Sequence, residues 1–189
     1  MNTSGIECTE YTLLDKVLLA HLRCMLDACN IPSSYGIPSR FCSHAKRIGA
    51  NYQPGACQLL VALKNTASMS VIANVSRGLK TFIMQHCPGN MYDMVQINKN
   101  CVSKPHQDSG NIGESTLVGL GTYTGGDTIL HLDSGSAGVD ISKLSVTFRA
   151  QDILHSSESF EGLRYSLVFF RQRKKGQHKT KVKAKVNCE

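Results

Sequence analysis

A chain of 189 residues with 41% hydrophobic content can bury one sizeable core, so one domain with one active site is expected. The first thirty residues hold no basic start followed by an apolar stretch and a cleavage site. Nothing nears the ~18 uninterrupted apolar residues of a membrane span, which predicts a soluble, intracellular protein.

In chain order, Leu14, Val17, Leu18, Leu22, Met25 and Leu26 recur at three- and four-residue spacing and predict a helix from about Tyr11 to Cys29 with one apolar face. It ends near Asn30-Ile31-Pro32, and the Ser-, Gly- and Pro-rich stretch from Pro32 to Pro54 reads as a loop. Val75, Leu79, Phe82, Ile83 and His86 mark a second helix closed by Pro88-Gly89, with His86 a packed core histidine rather than a ligand. After Asn90 the pattern changes to short alternating segments bounded by Gly, Asp and Ser: 94–98, 115–121, 128–132, 144–148, 153–156 and 163–170. Many short strands at close spacing predict a mainly β (α+β) fold, a double-stranded β-helix or jelly roll with N-terminal helices packed on it. The expected organisation is one domain over 1–172, helical over 1–90 and β over 91–172, then a basic tail over 173–189. Eight cysteines without a Cys-x-x-Cys pair argue against a zinc module and a secreted disulfide framework, and predict reduced thiols used mostly as core filler.

The net charge of +7 sits wholly at the C-terminal end: from Arg171 onward there are eight Lys or Arg and one acid, and residues 1–170 balance to zero. Such a run attracts phosphate backbones by counterion release without reading sequence. A solvated tail, or a nuclear-import signal in a eukaryote, accounts for the composition equally well.

His106-Gln107-Asp108 sets two metal-capable side chains two residues apart, which on an extended backbone face the same way. A distal histidine completes a facial triad with open positions, the arrangement suited to non-haem iron(II) that binds a bidentate cosubstrate and dioxygen together. His-x-Asp is weak by itself, and the chain has a second one, His131-Leu132-Asp133. Spacing separates them: the 47 residues from Asp108 to His155 let a jelly roll cross both sheets before the distal histidine returns, and the 22 from Asp133 do not. His106, Asp108 and His155 are therefore the expected metal ligands and catalytic centre, with His131 and Asp133 at the end of an ordinary strand.

Beyond His155, Arg164-Tyr165-Ser166 falls inside the apolar run Leu163, Leu167, Val168, Phe169 and Phe170. An arginine there is a partly buried charge that requires a partner. Its planar fork, with the Ser166 hydroxyl on the same strand face, can hold the distal carboxylate of 2-oxoglutarate. A zinc hydrolase could also use His-x-Asp with a distant His, but Arg164 and Ser166 would then have no task.

Two stretches resemble the iron(II)/2-oxoglutarate dioxygenases, and within them the TET and J-binding-protein branch that oxidises the methyl group of 5-methylcytosine or thymine. His106-Gln107-Asp108-Ser109-Gly110-Asn111, leading to Ser115-Thr116-Leu117-Val118, is similar to the TET segment with Asn three positions after the Asp and then a Ser-Thr-Val strand. Arg164-Tyr165-Ser166-Leu167-Val168-Phe169-Phe170 is similar to the TET Arg-Ile-Ser-Leu-Val-Phe-Tyr, and the stretch from Gly119 to Asp127 resembles the strand, turn and strand of J-binding-protein relatives. The resemblance covers about residues 94–172.

It implies iron(II), 2-oxoglutarate and O2, and oxidation of a base methyl group on a nucleotide flipped out of its stack. DNA or RNA would be the partner, held by the pocket and the basic tail. It also implies base contacts from Asn111, Phe170 and Gln172, with Phe170 where TET enzymes have Tyr and Gln172 where they have His. Asn111 reads equally well as a turn residue in Gly110-Asn111-Ile112-Gly113. The iron and cosubstrate residues are indifferent to what sits opposite them. A hydroxylase of protein side chains, a demethylase of alkylated bases and a non-catalytic nucleic-acid-binding module therefore stay open.

Overall fold

The computed structural model describes residues 5–29, 57–63 and 71–172. The expected loop over 32–54 and the basic tail lie outside these residues. In chain order the elements are β1 (Ile6–Glu10), α1 (Leu13–Ala28), β2 (Cys57–Ala62), α2 (Val71–His86), β3 (Met94–Lys99), β4 (Asn111–Gly125), β5 (Thr128–Leu132), β6 (Gly135–Val139), β7 (Leu144–Phe148), β8 (Leu154–Ser157) and β9 (Phe160–Gln172). They form a six-stranded sheet, β1-β7-β4-β9-β3-β2, and a three-stranded sheet, β6-β5-β8. All pairings are antiparallel, and the architecture is the expected double-stranded β-helix with helices on its outer face.

Strand pleating sorts the side chains into two cores. Tyr165, Leu167 and Phe169 of β9 join Leu22 and Leu26 of α1 and Leu79 and Phe82 of α2 in the core beneath the helices. Val168, on the opposite face, packs with Leu117, Leu130, Ile141, Val146 and Phe148 between the sheets. Arg164, Ser166 and Phe170 share the face of Val168, so the register of one strand commits all three to the inter-sheet interior.

Three strands depart from the local sequence pattern. β1 and β2 lie in the part expected to be helical. β1 is short and mostly polar, and it is a strand because it pairs with β7 from Ile6↔Phe148 to Glu10↔Leu144, far along the chain. β6, Gly-Ser-Ala-Gly-Val, has no apolar alternation because it is an exposed edge strand of the small sheet. The six described cysteines are free thiols, as expected, and four serve the core: Cys57 and Cys101 are buried and Cys29 and Cys87 pack against it, whereas Cys8 and Cys24 are exposed.

The buried face of α1 is turned from the expected one. Leu19, Leu22 and Leu26 are buried with Asp15, whereas Leu14 and Val17 are 49% and 58% exposed. Asp15 explains the rotation. Its Oδ2 lies 3.0 Å from Nδ1 of the buried His86, and it closes a capping box with Thr12 at the start of α1. His86 Nε2 in turn lies 2.7 Å from Ser145 Oγ on β7, so His86 is the expected core histidine and ties both helices to the sheet. Burial pushes the Asp15 carboxyl up, but hydrogen bonds from Thr12 and His86 outweigh it and hold the group below its ordinary value.

A carboxyl depressed on folding adds stability above its unfolded value and loses that contribution as pH falls through the folded value. Asp15→Ala is expected to cost about 3 kcal/mol at neutral pH, the scale for breaking a buried pair. In urea titrations the gap from wild type should narrow below about pH 4; a gap independent of pH would assign the loss to packing alone.

Candidate metal and cosubstrate site

His106 and His155 face each other across an isolated antiparallel bridge, each backbone N–H donating to the other's carbonyl at 2.9 and 3.0 Å. Their ring centroids are 4.3 Å apart. Asp108 is held beside them by its backbone N–H, which donates to Ala150 O at 2.9 Å. His106 Nε2 lies 3.8 Å from Asp108 Oδ1, and His155 Nε2 lies 3.9 Å from Asp108 Oδ2. One ligand atom from each residue falls within 4.8 Å of the others, so all three can reach a common ion.

The tautomers suit a metal. Nδ1 of His106 lies 2.8 Å from Lys104 O, and Nδ1 of His155 lies 2.9 Å from Ile153 O. A carbonyl only accepts, so each Nδ1 carries a proton, which leaves Nε2, on the side of Asp108, as the nitrogen free to ligate. Burial, followed by the nearby His106, lowers the His155 pKa and favours its neutral, ligating form. Asn111 is also buried, and its Nδ2 donates to Asp108 Oδ2 at 3.3 Å and to Ser115 Oγ at 3.1 Å. The side chain that the resemblance gives to a base is thus engaged in holding the carboxylate.

The second His-x-Asp is directed elsewhere. Leu130 of β5 stands opposite His155, which places both on the interior face, and His131 opposite Leu154 therefore points outward. His131 spends both ring nitrogens on hydroxyls, Ser136 Oγ at 3.1 Å and Ser156 Oγ at 3.0 Å, and Asp133 is exposed.

Arg164 is 2% exposed. Among the described residues no carboxylate lies within ion-pair distance of it. Its NH1 donates to Cys101 O at 3.4 Å, and its Nε has no hydrogen-bond partner. The backbone is pinned by Asn100, whose Oδ1 accepts from Arg164 N at 3.0 Å while its own N–H donates to Arg164 O at 2.8 Å. Burial lowers the Arg164 pKa, with only the weak opposing pull of Tyr123, Cys101 and Asp127.

Tyr123, inside the Gly119–Asp127 stretch but without a role assigned to it there, belongs to the same pocket. Its ring and that of Phe160 each lie 5.6 Å from the guanidinium carbon, and its buried hydroxyl, beside the guanidinium, meets no acceptor for its own proton among the described residues. Gly119 and Gly126 make the room. A Cβ on Gly119 would fall 2.4 Å from the Tyr123 hydroxyl, and one on Gly126 would fall 2.9 Å from Arg164 Nε. A buried cation and a buried phenol, both short of acceptors on one interior face, suit a carboxylate ligand. The period-two spacing of Gly119, Gly121 and Tyr123, opposite Ser166, Arg164 and Gly162, is the trace that Tyr123 leaves in the sequence. Phe170 is buried on the same strand face as Arg164 and Ser166, and Gln172 is exposed at the strand end.

No family model and no curated protein matches the sequence. Solved structures do match its shape. A prolyl hydroxylase from Trichoplax adhaerens, in complex with a hypoxia inducible factor oxygen degradation domain peptide fragment, superposes with a TM-score of 0.57 at 13% identity, over 89% of this chain and 84% of that one. A Pseudomonas putida prolyl-4-hydroxylase superposes at 0.50 and 15% identity over 91% and 95%. The chain has the jelly-roll fold of these hydroxylases. A 2OG-Fe(II) oxygenase family oxidoreductase from Burkholderia pseudomallei also matches, with 14% identity, coverage of 89% and 93%, and a TM-score of 0.46.

Proposed function

We propose that this protein is an iron(II)- and 2-oxoglutarate-dependent dioxygenase. The observation that carries the reading is Arg164: a buried guanidinium with no carboxylate in ion-pair range among the described residues, inside the same jelly roll as a triad that points two imidazole Nε2 atoms and a carboxylate at one place. Iron(II) with 2-oxoglutarate and dioxygen supplies oxidative decarboxylation to succinate and carbon dioxide, coupled to oxidation of a substrate C–H bond. His106, Asp108 and His155 would hold the metal on one side and leave the other open. Asn111 and Ser115 keep the Asp108 carboxylate in place. Arg164, Ser166 and Tyr123 would bind the far carboxylate of the cosubstrate, and Phe148, edge-on to His155 at 5.1 Å, keeps water from the back of the site. Purified full-length protein given iron(II), 2-oxoglutarate and oxygen should release succinate, and absence of succinate would overturn the reading.

Two substrate classes have support from different observations. The match to two prolyl hydroxylases favours a protein side chain. The similarity of the segments around His106 and Arg164 to TET enzymes, with the basic C-terminal run, favours the methyl group of a nucleic-acid base. Mass spectrometry of methylated DNA and of proline-containing peptides after parallel incubations decides between them. If nucleic acid is the substrate, deleting residues 174–189 should reduce the slope of log affinity against log salt by about 0.9 for each phosphate that the tail neutralises, with base choice unchanged. An unchanged slope would remove the tail from the interface.

A further inference from the structure

Beside the clamp, three side chains form a line across adjacent strands of the large sheet. Gln58 on β2 stands opposite Asn98 on β3, and Asn98 stands opposite Ser166 on β9. Gln58 Nε2 donates to Asn98 Oδ1 at 2.9 Å, and Asn98 Nδ2 donates to Ser166 Oγ at 3.2 Å. A carboxamide has one donor end and one acceptor end, so with Gln58 donating to its Oδ1, Asn98 meets Ser166 with its N–H end.

The direction of the line has a chemical consequence. Because Asn98 offers N–H, Ser166 Oγ accepts there and keeps its own proton for another acceptor. With the amide reversed, the Asn98 carbonyl would take that proton, and the hydroxyl would turn a lone pair towards any carboxylate beside Arg164. Ser166 is only 7% exposed, so bulk water does little to reset its orientation.

We propose that Asn98, its amide set by Gln58, is a positioning residue that aims the Ser166 hydroxyl proton at the distal carboxylate of the cosubstrate. This rests on the 2-oxoglutarate reading above. It places a selectivity determinant for the length and charge of the keto acid on β2 and β3, outside the Arg-x-Ser segment itself.

The test is calorimetric titration of the full-length protein loaded with manganese(II), without oxygen, using 2-oxoglutarate and 2-oxobutyrate. The second acid keeps the keto acid head and lacks the distal carboxylate. Asn98→Leu should weaken 2-oxoglutarate about tenfold, the scale of removing a hydrogen bond to a charged group, and leave 2-oxobutyrate within about twofold. In a Ser166→Ala background the same change should add nothing, because it acts through the hydroxyl. Gln58→Leu keeps Asn98 and Ser166 in place and serves if Asn98→Leu does not fold; about threefold weakening of 2-oxoglutarate alone is expected, below the effect of removing a direct partner. Equal weakening of both acids, full additivity with Ser166→Ala, or unchanged affinity would overturn the proposal. If the wild-type protein binds neither acid, the 2-oxoglutarate reading falls and this one with it. If the wild type binds and the variants bind equally well, only this one falls.

Discussion

Asp108→Ala should lower metal affinity on the order of a hundredfold or more and abolish succinate formation, whereas Asp133→Ala should leave both within about twofold. The first change takes away the only carboxylate within reach of both His106 Nε2 and His155 Nε2 among the described residues, leaving two neutral imidazoles to hold a dication. It also takes one of the two acceptors from the Asn111 amide, which donates to Asp108 Oδ2 and to Ser115 Oγ. Asp133 is exposed beyond an outward-facing strand end and touches none of this. Titration with iron(II) under nitrogen, followed by succinate analysis in air, measures both quantities. Loss of metal affinity and succinate in Asp133→Ala with both retained in Asp108→Ala would mean that the metal sits on the second His-x-Asp pair, and equal loss in the two variants would remove the distinction drawn between the pairs.

Substituting Arg164 should move affinity and stability in opposite directions. Arg164→Met is expected to raise the dissociation constant for 2-oxoglutarate roughly a hundredfold, since truncating one partner of a buried charge pair costs about 3 kcal/mol. Without cosubstrate, the wild-type guanidinium is buried with an unpartnered Nε and no carboxylate in range among the described residues. Exchanging it for an apolar chain of similar length should therefore leave the unliganded protein as stable as the wild type, or more so. Arg164→Lys should recover affinity only in part, because a point charge replaces a planar fork. Calorimetric binding and thermal unfolding with and without 2-oxoglutarate separate the two effects, and the cosubstrate should raise the melting temperature of the wild type but not of Arg164→Met. Parallel loss of affinity and unliganded stability would show that Arg164 is a structural cation instead of a clamp.

What can be read from the sequence is whatever local spacing encodes. The second helix and the strands at 128–132 and 144–148 carry their own periodicity, and the structure gives Val71–His86, Thr128–Leu132 and Leu144–Phe148. The distance from Asp108 to His155 and the setting of Arg164 in an apolar run are also properties of the chain alone, and the structure brings His106, Asp108 and His155 together and buries Arg164 in accord with them. Tertiary structure decides whatever depends on a partner remote in sequence. Ile6–Glu10 is a strand only because β7 lies beside it, and α1 turns Asp15 inward only because His86 arrives from the second helix. The resemblance gives Asn111 to a base, but its amide meets Asp108 and Ser115 once the turn after Asp108 closes. Tyr123, Asn98 and Gln58 gain their places through strand register, which sets facing pairs between residues 39 and more apart and which no single strand determines by itself.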